Sequence, residues 1–436
     1  MKTVLKAVAA LLIAGANGYA QDFAGGDFYE GLQSAREELR AGASASAAPA
    51  AQPTPEGFPA DAAAPAAEKE WTVMVFINGK NNLEGAGFDD INEMEKIGSG
   101  RDVNIVVEQG LMSSNRMSRL LVKRDRKPNE VTSPALGSAR GVDMGDPASV
   151  RDFVLWAERR FPAKKYMLIL WDHGSGWIKG NPAESRGDAK GVSDDWVSGH
   201  NIDTPQLGRL ARDIEAAGGR VDLLAFDACL MQMAEVAYEL KDSRISHIAA
   251  SEEIEPGSGY PYDKWLARLA ARPGMGAGEL GAAVAQEYLK AYPDGFQGTG
   301  LTYSVVEVAK LRRLAERMDD LAKAALAAGD KAPVLRARAE ATRYSYADNK
   351  DLRRFAQLLG QYSADARVKA AAAGVEALMG SGGPVIFSGV SANRRTLSSG
   401  VAAYVPENAN DISGYSELKF SADTQWDEFV NWLLKP

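Results

Sequence analysis

The chain has 436 residues, 45% of them hydrophobic, so it can bury a large core and exceeds what one compact domain needs. Its 58 acidic residues outnumber its 50 basic ones, which gives a formal charge of −8. This charge argues against a nucleic-acid-binding protein, which would need a basic face. It favours basic substrates or partners only weakly.

Residues 1–20 have the pattern of a secretory signal peptide. A basic start and an apolar segment over residues 7–16 are followed by small residues that end at Ala20. The apolar segment is too short to span a bilayer, and no later segment approaches the roughly eighteen apolar residues of a membrane span. We therefore expect cleavage after Ala20 and a secreted or periplasmic protein without a membrane span.

Residues 21–68 predict an N-terminal extension. Its first half could form a short amphipathic helix, and its second half is an Ala/Pro-rich linker without a periodic apolar face. The folded body is expected to comprise an α/β domain over residues 69–306. A mostly helical region with late strands, residues 307–436, is expected to pack on that domain.

Strands alternate with helices in the α/β domain. Predicted strands cover residues 71–77, 103–108, 119–124, 166–171, 221–226, 245–250 and 302–306. Helices are predicted over residues 147–161, 205–217, 262–271 and 277–292, and residues 178–202 are predicted as a long polar loop. This alternation predicts a mainly parallel central sheet with helices on both faces, an α/β/α sandwich.

Cys229 is the only cysteine in the chain, and it follows the predicted strand over residues 221–226. The apolar spacing from Leu230 to Leu240 predicts a helix immediately after it. A thiol in the first turn of a helix is biased toward thiolate by the unpaired backbone N–H groups there. In an oxidising compartment a single cysteine cannot form an internal disulfide, so it is a candidate reactive thiol. The alternative is a small buried apolar residue.

His173 follows another predicted buried strand, residues 166–171, within the sequence WDHGSGW. Parallel strands that end in histidine and cysteine would place an imidazole and a thiol at the same edge of the sheet. A cysteine nucleophile and its acid/base partner require this geometry. Gly174 and Gly176 leave backbone N–H groups unshielded, and one of them could hold a developing oxyanion. The alternative is that His173 is only a polar turn residue.

These motifs together resemble a known clan of cysteine peptidases. A strand followed by His-Gly, then a strand followed by Asp-Ala-Cys, is similar to the clan that contains caspases, gingipains and legumain. The longer motifs resemble those of the clostripain family in particular: WDHGSGW, FDACLM and ASEEIEPGSGYPY. The resemblance covers roughly residues 70–306, with looser agreement beyond, and implies that the α/β domain is a caspase-like catalytic domain.

The resemblance assigns roles to individual residues. Cys229 would be the nucleophile, His173 the general acid/base, and the backbone N–H groups of Gly174 and Cys229 the oxyanion hole. Asp227 matches the acidic residue at the floor of the specificity pocket in members that cleave after Arg or Lys. A carboxylate in a recessed pocket pairs well with a guanidinium or an ammonium group. Asp227 could instead cap the following helix.

The resemblance also implies maturation by internal cleavage between the histidine and cysteine strands. The basic residues there are Lys179, Arg186 and Lys190, with Arg186 the preferred candidate. The product would be a self-processed two-chain form, and the unprocessed protein a monomer. One departure from the family pattern is NGKNNLE after the first strand, where Gly79 and Lys80 replace a more usual acidic or small polar turn.

The sequence predicts no metal site and no required cofactor. His200 and His247 lack the spacing of metal ligands. Three glutamates could line the substrate cleft or bind a cation: Glu252, Glu253 and Glu255. Calcium binding is an open alternative because some members of the family use calcium. The spacing of the glutamates is not that of an EF-hand. The resulting hypothesis is a cysteine endopeptidase that acts on peptides or proteins with basic residues. A catalytically inactive caspase-like binding module is the alternative.

Overall fold

The long apolar runs of the sequence form the central strands of a large sheet. The computed structural model describes residues 67–179, 190–296, 300–380, 382–391, 397–407, 412 and 414–435. The strands of these residues, numbered in chain order, are β1 (Lys69–Gly79), β2 (Val103–Leu111), β3 (Arg116–Leu121), β4 (Ala135–Arg140), β5 (Ala163–Trp171), β6 (Gly174–Lys179), β7 (Lys190–Asp195), β8 (His200–Ile202), β9 (Leu223–Asp227), β10 (His247–Ala250), β11 (Thr302–Glu307), β12 (Asn349–Asp351), β13 (Val385–Val390) and β14 (Ala402–Tyr404).

Except for the helix predicted from Leu230, the helices begin and end close to where the apolar periodicity predicts them. They are α1 (Glu84–Glu95), α2 (Pro147–Arg160), α3 (Thr204–Ala216), α4 (Ala234–Glu239), α5 (Tyr262–Ala271), α6 (Ala277–Ala291), α7 (Leu311–Ala328), α8 (Ala332–Glu340), α9 (Leu352–Tyr362), α10 (Ala366–Leu378), α11 (Lys419–Asp423) and α12 (Trp426–Leu434). Helix α2 shows why the start of a helix can be predicted. Asp146 accepts a hydrogen bond from the N–H of Ala148, and Pro147, which has no N–H, occupies the first helical position.

The main sheet has nine strands in the order β13-β11-β10-β9-β5-β1-β2-β3-β4. The five inner strands from β10 to β2 are parallel to one another, and antiparallel strands extend the sheet at both ends. This arrangement confirms the predicted mainly parallel sheet. Strand β13 comes from the C-terminal region, so this region contributes an edge strand as well as helices.

Both faces of the sheet are covered, which explains the continuous apolar runs. In β1, Met74 and Phe76 point to one core together with residues of α2 and α3, whereas Val73 and Val75 point to the opposite core with residues of α1, α5 and α6. Every residue from 71 to 80 is buried. The period of two places alternate side chains on opposite faces, and helices bury both sets. The sandwich is therefore a three-layer α/β/α fold, as predicted.

Three small features differ from the sequence prediction. Residues 190–202 are not a loop, because β6, β7 and β8 form a separate antiparallel sheet. Strand β4 extends the main sheet and β12 pairs with β14, although the sequence predicts neither β4 nor β12. These strands are short or polar, and they lack the apolar runs that mark the central strands. None of the helices within the described residues combines the length and hydrophobicity needed to cross a bilayer.

Candidate active site

Cys229 and His173 lie at the same edge of the main sheet. Strands β5 and β9 are parallel neighbours, and their last paired residues are Trp171 and Asp227. His173 lies two residues beyond the end of β5, and Cys229 lies two residues beyond the end of β9. The structure therefore brings the imidazole-bearing and thiol-bearing segments together at the carboxyl ends of adjacent parallel strands, where open α/β sheets place their ligand sites.

The local structure of Cys229 differs from the prediction. Helix α4 begins at Ala234, and Cys229 lies in a turn before it, so the expected placement in the first turn of a helix is wrong. Leu230 has a φ of 65°, which interrupts a helical path despite the apolar spacing that follows. The turn is held by the segment after β10: the N–H of Leu230 donates to the carbonyl of Glu253 at 3.1 Å.

The same segment supplies a hydrogen bond to the thiol. The backbone N–H of Glu255 donates to Sγ of Cys229 at 3.2 Å, and the cysteine is only partly buried. A donor directed at sulfur stabilises negative charge on it. This hydrogen bond, rather than the N–H groups at the start of a helix, stabilises a negative charge on the sulfur. Its donor is 26 positions away from Cys229 in the chain.

Gly174 lies directly against the backbone of Cys229. A Cβ built on Gly174 would be 2.3 Å from the carbonyl oxygen of Cys229 and 3.0 Å from its backbone nitrogen. Only a residue without a side chain permits this approach. The two residues whose N–H groups the family resemblance assigns to the oxyanion hole are thus in contact. Gly176, the other candidate, has a φ of 64° and lies against Met233 instead.

His173 is held from three sides. Its Nε2 hydrogen-bonds Oδ1 of Asn82 at 2.7 Å, and its backbone N–H donates to Oδ1 of Asp172 at 2.7 Å. The indole of Trp196 stacks on the imidazole, with ring centroids 6.4 Å apart and an angle of 8° between the planes. Burial of the ring lowers the pKa of His173 from 6.5 to about 4. The imidazole is therefore neutral at pH 7 and able to accept a proton.

The carboxyl group of Asp227 is buried below the Cys229 turn. It accepts hydrogen bonds from the hydroxyl of Tyr262 at 2.9 Å and from the N–H of Tyr260 at 3.2 Å. Burial raises the pKa of Asp227 to about 6, although these two hydrogen bonds oppose the shift. The helix-capping alternative is wrong, because α4 begins at Ala234 and its N-cap residue is Met233.

The side chain of Glu255 lies beside Asp227, and the two buried carboxyl groups are within hydrogen-bonding reach of each other. Burial, and then the charge of Asp227, raise its pKa well above the ordinary value. The pKa of Asp90, which accepts from Nε1 of Trp171 at 2.6 Å, is raised for the same two reasons. Among the described residues no lysine or arginine forms an ion pair with any of these three acids. Ionisation of buried carboxyl groups is costly without a cation nearby, so this cluster is suited to receive a cation from outside.

The other two glutamates of the SEEIE segment have different surroundings. Glu253 binds the backbone N–H and the hydroxyl of Ser345, at 3.0 and 2.5 Å, and so ties a distant loop to the site. Glu252 is buried, and burial raises its pKa to about 7, although hydrogen bonds from the side chains of Thr302 and Ser304 oppose the shift. Only Glu255 of the three contacts Asp227. The sequence alone could not rank them, because their order along the segment does not reveal which one turns toward β9.

The described residues include no group of three or more His, Cys, Asp or Glu side chains arranged to hold a metal ion.

Two of the three predicted processing residues flank a part of the chain that the structure does not describe. Lys179 ends β6 and Lys190 begins β7, and the two are paired across the small sheet. Arg186 lies within residues 180–189, outside the described residues.

Comparison with known proteins shows the family of the chain. The model of the clostripain family (Peptidase_C11) matches residues 75–432. Clostripain from Hathewaya histolytica is 29% identical over 227 residues, which cover 47% of this chain and 43% of clostripain. The chain thus spans less than half the length of this relative.

Solved structures with the same fold come from Bacteroides and Parabacteroides species. A secreted C11 cysteine protease from Bacteroides thetaiotaomicron, in complex with an irreversible peptide inhibitor, has a TM-score of 0.61 at 20% identity and covers 82% of this chain and 100% of its own. An inactive zymogen C11 protease from Parabacteroides distasonis has a TM-score of 0.61 at 17% identity and covers 82% of this chain and 99% of its own. At these identities the likeness concerns the fold, which is that of the predicted caspase-like sandwich. Because the family model extends from β1 to α12 and the sequence motifs lie at one edge of that fold, the chain belongs to the clostripain family.

Proposed function

We propose that this protein is an exported cysteine endopeptidase that hydrolyses peptide bonds after Arg or Lys through Cys229 and His173. The observation that carries the proposal is the position of the Asp227–Glu255 carboxyl pair next to the nucleophile. Glu255 contacts Sγ of Cys229 through its backbone N–H, while its side chain lies against Asp227. A basic side chain bound to these acids would hold the adjacent peptide bond near the sulfur.

The reaction follows from the charges and donors at the edge of the sheet. Neutral His173 takes the proton of the Cys229 thiol, and the sulfur attacks the scissile carbonyl carbon. The N–H groups of Gly174 and Cys229 stabilise the oxyanion that forms. The imidazolium then gives its proton to the leaving amine, and water releases the acyl group from the sulfur by the same route in reverse.

Specificity follows from the unpaired acids. A guanidinium or ammonium group supplies the positive charge that Asp227 and Glu255 lack within the described part of the chain. A neutral side chain would leave the buried negative charge of this pair without a cation. Such a site rejects ligands that lack the matching donors, because a buried polar group without a partner loses the free energy of its hydration.

The first experiment uses fluorogenic peptides that end in Arg, Lys or Leu. Wild-type protein is expected to cleave the Arg and Lys peptides, and Cys229→Ala and His173→Ala are expected to lose this activity. His200→Ala is the matched control for His173→Ala, because His200 is exposed and binds Asp143 instead of the site. Equal hydrolysis by wild type and Cys229→Ala would eliminate the peptidase. Absence of hydrolysis by both, with retained peptide binding, would favour the inactive binding module.

We also propose self-processing between the histidine and cysteine strands, with Arg186 as the first candidate and Lys179 and Lys190 as alternatives. The proposal is supported by the sequence position of Arg186 between Lys179, the last residue of β6, and Lys190, the first residue of β7, and by a solved relative described as an inactive zymogen. Mass spectrometry of the purified wild type should find two chains, and Cys229→Ala should remain intact. Cleavage at the same bond in both proteins would assign the cut to another peptidase.

Export is proposed on the signal-peptide pattern of residues 1–20, and a solved relative is described as secreted. N-terminal sequencing of protein recovered from the periplasm or the medium would test it, with a mature N-terminus at Gln21 as the expected result. A start at Met1 on active protein would contradict it.

A further inference from the structure

The NGKNN turn after β1 is a sequence feature that the proposed dyad does not use. In the main sheet β1 lies next to β5, on the side opposite β9. Three adjacent strands therefore end at one edge, and they are followed by Asn82, His173 and Cys229 in that spatial order. The side chain of Asn82 reaches the imidazole, because its Oδ1 lies 2.7 Å from Nε2 of His173.

The turn that carries Asn82 is fixed by its neighbours. Asn81 donates through Nδ2 to Oδ1 of Asp172 at 2.5 Å and to the carbonyl of Asp194 at 2.9 Å, and its Oδ1 accepts from the N–H of Leu83 at 2.8 Å. Asn81 is completely buried. Asn82 is thus held between anchored residues, and the Asp172 carboxylate that binds Asn81 also binds the backbone of His173. The turn and the histidine form one connected unit.

The contact selects one tautomer of the neutral imidazole. An amide oxygen can only accept a hydrogen bond, so Nε2 must carry the proton that Asn82 receives. The lone pair of the neutral ring is then on Nδ1, and the hydrogen bond of one ring nitrogen sets the role of the other. An amide is also uncharged, so it orients the ring without attracting a second proton to it as strongly as a carboxylate would.

We propose that Asn82 is a positioning residue for His173: its side-chain oxygen holds Nε2–H and leaves Nδ1 to exchange the proton with Cys229 and the leaving amine. During the reaction Nδ1 takes the thiol proton and later gives it to the amine nitrogen, while the Nε2 proton stays on the ring. This inference rests on the proposed dyad, in which His173 acts as acid and base. In this role Asn82 acts through His173 and itself forms and breaks no covalent bond.

The test compares Asn82→Ala and Asn82→Asp with the control Asn92→Ala. Asn92 lies on α1, and its Nδ2 donates to the carbonyl of Phe88 in its own helix. We expect Asn82→Ala to lower kcat/KM for the Arg peptide by about 100-fold with a small change in KM, because a misplaced catalytic group costs about that much. Asn82→Asp should recover most of the loss. Its carboxylate should also raise the pH at which His173 titrates by roughly 1 to 3 units.

A second readout does not require activity. In Cys229→Ala protein labelled with ¹⁵N-histidine, the His173 signal should show a protonated Nε2, and Asn82→Ala in the same background should show a mixture of tautomers. Histidine signals can be assigned by replacing each of the three in turn. A protonated Nδ1 in the parent protein would overturn the inference. A positioning role would also be excluded if both Asn82 variants lowered the melting temperature without a change in tautomer or in the titration of His173.

The failure of this inference and the failure of the proposed function give different results. If His173→Ala and Cys229→Ala abolish hydrolysis while Asn82→Ala behaves like Asn92→Ala, the dyad stands and the role of Asn82 is excluded. If His173→Ala keeps full activity, the dyad itself is wrong, whatever Asn82 does.

Discussion

The Cα of Gly174 packs against the backbone of Cys229 so closely that a Cβ at position 174 would overlap the carbonyl oxygen of the cysteine. The neighbouring Cβ of Ala228 would also lie at 3.0 Å. These contacts join the segment after β5 to the turn after β9. They set how far apart the histidine and cysteine segments are, independently of the side chains of His173 and Cys229.

Gly174→Ala is therefore expected to separate the two segments. The overlap involves backbone atoms, which cannot move aside as a flexible side chain can, so we expect a loss of about 1–3 kcal/mol in the free energy of unfolding. Hydrolysis should fall further than stability alone explains, since the oxyanion donors are displaced. Gly274→Ala is the matched control, because nothing lies within 4 Å of a Cβ at that glycine. Equal activity of the two variants would contradict this account.

Asp227→Asn is expected to raise stability while it lowers activity toward basic substrates. A shift of the Asp227 pKa from 3.8 to about 6 corresponds to roughly 3 kcal/mol. The folded state binds this proton more tightly than the unfolded chain, so ionised Asp227 destabilises the fold above pH 6, and the penalty shrinks as the pH falls toward 4. Urea unfolding should therefore show a larger gain for the variant at pH 8 than at pH 5.

The matched control for this measurement is Asp89→Asn, on the exposed side of α1. It should change stability little at either pH. A loss of stability in Asp227→Asn at pH 8 would indicate that the ionised carboxylate already has a cationic partner, and it would remove the argument that this acid awaits the cation of a substrate.

The sequence predicts the sheet and the edge of the site because both depend on buried strands. The runs WTVMVFI, YMLILW and LLAFD are continuous because helices cover both faces, and the position after each run identifies the edge. The turn at Cys229 could not be predicted in the same way. The apolar spacing after it is helical, and only the left-handed backbone of Leu230 and its contact with Glu253 exclude a helix there.

The residues that hold the His173 ring in place could not be predicted from sequence patterns either. Asn82 contacts His173 although the two residues are 91 positions apart in the chain. Trp196 contacts the same ring from the small sheet, and this sheet could not be predicted because the polar composition of residues 190–202 is typical of a loop. Periodicity describes local structure and burial. Contacts between turns that are distant in the chain depend instead on the order of the strands in the sheet. This order cannot be predicted from local sequence patterns.

Binding of basic peptides is expected to strengthen as the pH rises through about 6. A guanidinium group binds the ionised acids, so protonation of Asp227, with a pKa of about 6, competes with the ligand. For Cys229→Ala, calorimetry should show about tenfold tighter binding of an Arg peptide at pH 7.5 than at pH 5, from loss of this one proton. A citrulline peptide has nearly the same shape without the charge and should bind weakly at both values. Parallel pH dependence of the two peptides would exclude an electrostatic pocket.

Trp196→Ala is expected to raise the pKa of His173. The indole covers one face of the imidazole, and burial of this ring holds its pKa at about 4. Removal of the indole hydrates the ring, so the pKa should move upward toward 6.5, and the neutral form should persist over a narrower pH range. NMR titration of Cys229→Ala protein measures this directly. Trp196→Phe, which keeps an aromatic ring at the position, should shift the pKa less, and an unchanged value in Trp196→Ala would rule out a desolvating role.

Lys80, the residue that departs from the family pattern, is expected to be essential for stability. Its ammonium group is 3.6 Å from Oδ2 of Asp195, both side chains are buried, and Nζ donates to Oδ1 of Asn115 at 2.8 Å. Lys80→Met would leave the Asp195 carboxylate buried without its cation, so we expect a loss of about 3–5 kcal/mol in the free energy of unfolding.

The double variant Lys80→Met/Asp195→Asn should recover part of the lost stability, because the unpaired charge is then removed as well. Lys264→Met, which breaks an exposed pair with Asp263, is the control and should change stability little. If the double variant were less stable than Lys80→Met, the buried charge of Asp195 could not be the cause of the loss.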